Sequence, residues 1–420
     1  MRRGTIVLLL FLAVIAAVLG LSQFLRTQPP LDLQIAVSPM AQDWIAAALE
    51  RYNATNPVMN TQRVRFVAVP VEDLDVWGTT NSSAGWSVQT HPAAWIPAWS
   101  ASVSYVGSLP FRVVSPSLAK TVLVWGAFTS RVDAITGSTS VTPIVAPMVQ
   151  PTAPPAAEST ADATAEATAQ PIAEASTSVQ TPPILDWDQI AAAAAQVSWR
   201  AINPQAQGVV GNFTMAYNRP TTRISGLAVL LSGSLAFHQT SAVSGRDLAD
   251  QGFRSWLQPV LESVPNFATL GASPAMTLAS RGASIGDIAL LPENDWLKNL
   301  SGQLSSSRDP IQLIYPQYTF VFDFPMAVWS GAPAEGSLYT QAQFEAAMNA
   351  LAVYLNSAAE QASAQSFGLR PADGSMPEGA LFTAGAAFGM LPALDLPTQS
   401  GQPLLSDMQR LLTWANNYIR

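Results

Sequence analysis

The sequence predicts an α/β protein with parallel sheets joined by crossover helices. Two observations carry that prediction. Apolar or alternating, β-rich segments recur along the chain, and segments of helical period, long enough to serve as crossovers, separate them.

The elements follow in order. Leu31–Val37 (LDLQIAV) alternates like a half-buried strand, and Ser38-Pro39 then opens a helical run over 40–53 with apolar residues at helical spacing. Residues 65–69 form a second strand, and 120–125 (KTVLVW) is apolar and β-rich. The pattern continues with a helix over 184–195, a strand over 212–217, and helices over 225–239 and 253–264. Residues 286–291 (GDIALL) read as a buried strand. Residues 311–315 and 319–323 are strand-like, and 327–329 continue the pattern. An amphipathic helix over 342–357 and a final helix over 403–418 (PLLSDMQRLLTWANNY) complete the chain.

Two segments stand outside this alternation. Arg2 and Arg3 precede an unbroken apolar run over 6–21, and Arg26 and Pro29-Pro30 follow it. The run falls between the roughly 7–15 residues of a signal peptide's apolar region and the roughly 17–25 of a spanning helix. Residues 1–30 are therefore read as a signal peptide or a membrane anchor. In both cases the leading charges place the N-terminus in the cytoplasm and the rest of the chain outside it. The second segment, 137–183, is built from Ala, Thr, Pro and Ser, with four acids and no Lys or Arg. It has too little apolar surface to offset the entropy of ordering, so it is read as a disordered insertion.

Composition excludes several function classes. The chain has 420 residues, no Cys and two His, so thiolate zinc sites, Cys nucleophiles, disulfides and His-rich metal centres are ruled out. Acidic residues outnumber basic ones by 28 to 20 and the net charge is −8, with no basic patch to suit a nucleic acid. Charged residues make up 11% of the chain, against about a quarter in ordinary soluble domains. That low share, with 12 Trp and 32 Pro, suits an extracytoplasmic protein.

Six motifs occur in an order similar to that of extracellular solute-binding proteins with the type 2 periplasmic-binding fold. They are LDLQIAVSPMAQDWIAAALERYNA, HPAAWIPAWSASV, FTMAYNRPTTRISGLAVLLS, DIALLPENDWLKNL, IYPQYTFVFDFPMAVW and AMNALAVYLNSAAEQASAQSFGLRPAD. The second resembles the W-x-P-x-S-S loop of the branch associated with von Willebrand A domains, and the third its N-P-x-x-S-x-S-G element. The fifth resembles its Tyr-Pro-x-x-G-T…D-x-P return, and the sixth its G-x-R-P turn. The resemblance runs from about Leu31 to Asp373 and implies two α/β lobes around a ligand cleft. Lobe one is then 31–117 plus 315–420, and lobe two 118–314, with 111–125 and 311–324 as the segments that cross.

In such a fold, ligands meet strand carboxyl ends and helix N-termini, whose free N–H groups favour oxyanions. The resemblance thus implies ligand contacts from Ser38, Trp95, Ser100, Thr222, Arg223, Ser225, Gly226, Glu293 and Tyr315. Ser38, Thr222 and Ser225 would serve equally as helix caps, and the Trp95 and Trp99 rings could pack the core instead of stacking on a ligand. The chain departs from the family at Trp99-Ser100, at Arg223, and at Gln317-Tyr318-Thr319, where a Gly is expected.

Catalytic readings fail on order and content. Gly282-Ala283-Ser284-Ile285-Gly286 fits G-x-S-x-G, but a helical run precedes it, a strand follows it, and both His91 and His238 lie upstream. Glu293 and Asp295 form an acidic pair at a helix start, where acids are ordinary. No phosphate-loop or dinucleotide fingerprint is present, so no cofactor and no metal is expected. The expected function is non-catalytic capture of a small solute for an ABC-type importer. The alternative is a membrane-anchored interaction or sensory module of the same fold without transport. The permease, or another membrane partner, would be the protein partner.

Overall fold

The computed structural model describes residues 11–13, 15, 29–60, 62–78, 83–137, 185–206, 208–300, 309–333, 337, 339–394 and 402–419. The expected disordered insertion, beyond Gly137, and most of the expected signal or anchor lie outside the described residues. Among the described residues no helix is long and apolar enough to cross a membrane.

The strands are β1 (Leu31–Val37), β2 (Val58–Met59), β3 (Gln62–Pro70), β4 (Ala94–Ile96), β5 (Phe111–Ser115), β6 (Thr121–Phe128), β7 (Met215–Ala216), β8 (Ile288–Pro292), β9 (Ile311–Ile314), β10 (Val321–Phe322) and β11 (Met326–Trp329). They form two sheets. The first has the order β2-β3-β1-β4-β11-β5; the second runs β10-β6-β8-β7, with β9 also paired to β6. In the first sheet β1 is parallel to β3, from Leu31 opposite Val64 to Val37 opposite Pro70, and parallel to β4. In the second, β7 is parallel to β8, while β6 is antiparallel to β8, β9 and β10.

The sheets are thus mixed, not parallel as the alternation predicts. The cause is how the chain changes sheet. It passes from β5 to β6 through residues 116–120, and returns from β10 to β11 through residues 323–325, with no helix in either connection. A strand entered from the edge where the sheets meet must run away from that edge. Strands reached through crossover helices run toward it.

Burial follows from the sequence pattern. Every residue of β6 and β8 is buried, as continuous apolar strands should be when both faces are covered. Helix Ile224–His238, apolar all round, is buried over most of its length. Helix Glu293–Leu300 follows β8 and lays Trp296 on β6, where the indole Nε1 donates to the Val124 carbonyl at 3.1 Å. Gly126 makes room for that ring: a Cβ there would lie 2.3 Å from Trp296 Cζ2. The helix expected from 184 begins at Trp187, because Asp186 accepts the Gln189 N–H and Gln189 returns a bond in a capping box.

The C-terminal region touches both halves. Helices Gln341–Leu355 and Ala358–Gln365 pack on the first sheet's side, where Arg51 Nε and Nη2 donate to Glu360 at 2.9 and 2.6 Å. Helix Ala380–Ala386 packs on Glu293–Leu300, and Leu405–Asn416 packs on helix Gly245–Ala249 of the second half.

Candidate functional site

The carboxyl ends of β1, β3 and β4 lie at one edge of the first sheet, and those of β7 and β8 at one edge of the second. These two edges meet. Asn294 Nδ2 donates to the Met40 carbonyl at 3.1 Å, and Lys298 Nζ lies 3.2 Å from the Asp43 carboxylate. Glu72, in the turn after β3, receives the Ile224 N–H at 2.6 Å and Arg223 Nη1 at 3.2 Å. Each contact joins a residue of the first half to one of the second.

The helix N-termini at this junction hold carboxylates from the chain itself. Glu72 occupies the start of Ile224–His238, where four N–H groups lack helical partners and the dipole favours negative charge. Asp73 accepts the Ala98 N–H at 3.0 Å and the Ser102 hydroxyl at 2.6 Å, tying helix Ser100–Tyr105 to the turn after β3. Asp323, in the return connection, accepts the Ser100 N–H at 2.8 Å. Burial raises all three carboxyls. It pushes Asp73 up to about 7, with the Glu72 charge adding to the effect. It pushes Asp323 up to about 6 against the opposing pull of Ser100. It raises Glu72 against the Ile224 N–H and Arg223, which favour its charged form. Asp295, beside Lys298, Arg223 and Asp43, is pushed up to about 6 by burial.

A second ion pair fixes the wall behind β8. Arg370 Nε and Nη2 donate to both Glu293 oxygens at 2.6 and 2.7 Å, and the Tyr315 hydroxyl donates to the same carboxylate. The remaining Arg370 donors reach the Leu391 and Pro392 carbonyls at 2.5 and 3.0 Å. Burial raises the Tyr315 phenol, and the neighbouring Glu293 charge adds to this.

The residues singled out in the sequence therefore separate into groups. Arg223, Ser225 and Gly226 sit together at the start of Ile224–His238 with Glu72 upon them, and Thr222 is exposed beside them. Ser225 Oγ accepts from Asn218 Nδ2 at 2.9 Å, and Gly226 lets the helix start approach the Asn218 carbonyl. Ser38 is buried at the end of β1; its N–H donates to Ile96, and its hydroxyl oxygen has no partner among the described residues. Ser100 faces Asp323. Trp95 is fully buried in β4, edge-on to Trp86 at 5.2 Å, so its ring is core. Trp99 is likewise edge-on to Phe320 at 5.4 Å. Glu293 and Tyr315 belong to the buried pair with Arg370.

The pattern of strands and helices left out Glu72, Asp73, Asn294 and Arg370 as site residues. Glu72-Asp73 begins two residues after a strand end, and Asp323 is the acid of the D-x-P return; both are signals available in the sequence. Ser284 of the G-x-S-x-G match sits in a short 3₁₀ turn before β8 and donates to the Arg281 carbonyl, with no His near it in the chain.

Two cavities flank the junction, and a third lies away from it. One of about 690 Å³ lies between Gly78, Thr221 and the C-terminal helix, with Ser406, Gln409 and Arg410 on its wall. Another, of about 250 Å³, lies beside Arg219 and Arg223. A third, of about 340 Å³, lies at the far end of β1, where His91 stacks on Trp329 at 3.5 Å.

No protein-family model matches the chain, and no curated protein matches it by sequence. Solved structures do. A chitin oligosaccharide binding protein matches at 12% identity with a TM-score of 0.51, over 93% of this chain and 97% of that one. The glycerophosphocholine complex of UgpB from Mycobacterium tuberculosis matches at 11% identity and TM-score 0.48, over 93% and 97%. The cyclic alpha-maltosyl-1,6-maltose binding protein from Arthrobacter globiformis matches at 13% and 0.44, over 93% and 98%. At such identities the first of these likenesses is one of fold: two α/β sheets in the arrangement of a solute-binding protein.

Proposed function

We propose that the protein captures a small polar solute outside the membrane, between two lobes, and delivers it to an ABC-type importer without catalysis. The observation that carries this reading is the junction itself. Strand carboxyl ends from two sheets meet face to face, and the chain changes sheet through two short helix-free connections. Such connections can serve as hinges, and strand ends of this kind are where open α/β sheets bind ligands.

On this reading lobe one is 31–117 and 315–420, and lobe two is 118–314, with the C-terminal helices of lobe one lying across onto lobe two. Residues 1–30 export the chain or hold it at the membrane. The six motifs support a type 2 solute-binding protein, and the second, third, fifth and sixth of them favour the branch associated with von Willebrand A domains. Among the contacts expected of the cleft, Ser38 is the one whose buried hydroxyl has no partner among the described residues. Because Glu72, Asp73 and Asp323 already hold the helix N-termini, the cleft suits a neutral, hydroxyl-rich solute better than an anion. The fold neighbour that binds chitin oligosaccharide makes oligosaccharides the first solutes to try.

A thermal-shift screen of the exported part tests this. A solute held at 100 times its Kd adds about 2.7 kcal/mol of stability. A shift with an oligosaccharide, lost in Ser38→Val, supports capture. No shift with oligosaccharides, amino acids or other neutral solutes overturns it in favour of the tethered module.

A further inference from the structure

We infer that the cavity of about 250 Å³ beside Arg219 is a second binding site, for a small organic oxyanion: a carboxylate or phosphate carried on a flat apolar body. Its wall is drawn from residues between Tyr217 and Pro274, so its lining comes from one half of the protein, although Arg223 on that wall also reaches Glu72 of the other half.

Charge points to an anion. In a chain of net charge −8, two guanidinium groups stand four residues apart on this wall. The carboxylates facing Arg223 are Glu72, which accepts one of its N–H groups at 3.2 Å, and Asp295, whose charged form it favours. A guanidinium has five donors, so Arg223 keeps others for a second oxyanion. Arg219 has no ion-pair partner among the described residues. Its guanidinium lies 5.8 Å from the Phe267 ring centroid, so the aromatic face holds it at the cavity. Arginine's planar fork matches carboxylate and phosphate oxygens in pairs.

The rest of the wall gives the ligand its body. Phe267 and Tyr217 meet edge to face, with centroids 5.4 Å apart, and Leu270 and Pro274 extend the apolar side. Tyr217 is fully buried, yet its hydroxyl has no hydrogen-bond partner among the described residues. A buried polar group of this kind is normally satisfied, and Tyr217 lines this cavity, where a ligand oxygen would be the missing partner. The backbone cannot substitute for these side chains, because the Thr222 and Arg223 N–H groups both close the turn onto the Arg219 carbonyl.

Calorimetric titration of the exported chain at low salt tests the assignment with benzoate, phenyl phosphate and inorganic phosphate. One of the two organic probes should bind once per chain, at least about tenfold tighter than inorganic phosphate, and the better probe identifies the head group. Arg219→Gln should weaken that binding by about tenfold or more, and Tyr217→Phe by several-fold, with melting curves close to the parent's. If Arg219→Gln does not fold, Arg219→Lys keeps the charge, loses the fork, and reads out the same loss. The inference is overturned if neither organic probe binds, if inorganic phosphate binds equally well, or if the Arg219 variants bind like the parent. None of these outcomes bears on oligosaccharide capture.

Discussion

Glu72 accepts the backbone N–H of Ile224 at 2.6 Å across 152 residues of chain. The bond joins the turn after β3 to the start of a buried helix in the other half, and Arg223 adds its charge on the same carboxylate. An anionic ligand would sit in that way on a helix N-terminus; here the chain supplies the anion.

Removing this carboxylate should loosen the junction. Glu72→Ala leaves the Ile224 N–H without its partner and should cost about 2 kcal/mol in urea unfolding, whereas Glu72→Gln keeps an acceptor oxygen and should cost about 1 kcal/mol. Amide exchange at Ile224 should speed up in the same order. Equal midpoints and equal exchange in both variants would mean that the contact does not hold the halves together.

The Glu293–Arg370 pair calls for the opposite experiment, because both partners are buried. Glu293→Ala strands a guanidinium in the interior and should cost about 3–5 kcal/mol. The double replacement Glu293→Leu with Arg370→Met removes both charges together and should recover most of that loss. Tyr315→Phe removes one donor from the carboxylate and should cost about 1 kcal/mol. A double variant no more stable than Glu293→Ala would count against an ion pair as the organising contact.

How far the sequence led depended on the range of the interaction. β6 and β8 announce themselves because their apolar runs are local and continuous, and β1 and helix 341–355 because their alternation and period are local. Short elements such as Asp73–Trp77 and Ser100–Tyr105 carry too few residues for a period to show, and they exist because Asp73 ties one to the other. The grouping of candidate residues was legible at the start of Ile224–His238, where Arg223, Ser225 and Gly226 share a motif. It was not legible at Glu293, whose partner Arg370 stands 77 residues away in the G-x-R-P turn. Nothing in spacing alone chooses Arg370 over Arg223 for that carboxylate.

Asp73, which is buried, and Asp295 and Asp323, which are half-buried, set a pH dependence with a definite sign. Asp73 rises from an ordinary 3.8 to about 7, and Asp295 and Asp323 rise to about 6. Between about pH 4 and 7 the folded protein therefore binds more protons than the unfolded chain, so stability increases as the pH falls through that window. Glu360, held low by Arg51, acts the other way, but only below its ordinary value of 4.5. Asp73→Asn should flatten the slope by at most about 1.4 kcal/mol per pH unit. Urea midpoints at pH 4.5, 5.5, 6.5 and 7.5 measure it. Stability that is level or falls on acidification to pH 4.5, unchanged in Asp73→Asn, would contradict the burial of these groups.

The start of helix Ile224–His238 offers a test in which the sign alone is informative. Replacing Gly by Ala inside a helix ordinarily stabilises it by about 1 kcal/mol through propensity. At Gly226 the new Cβ would lie 2.1 Å from the Asn218 carbonyl oxygen and 2.7 Å from the Arg219 carbonyl carbon. Both are backbone atoms of the turn that leads into the helix, so neither can swing aside as a side chain would. Gly226→Ala should therefore destabilise by about 1–3 kcal/mol, the cost typical of overpacking. The neighbouring Ser225→Ala only deprives the half-buried Asn218 amide of an acceptor and should cost about 1 kcal/mol. Thermal melts of the two variants separate the effects. A Gly226→Ala protein as stable as the parent, or more so, would mean that the helix does not pack this closely against the Asn218–Arg219 turn, and that the Glu72 contact at the same helix end is looser than described.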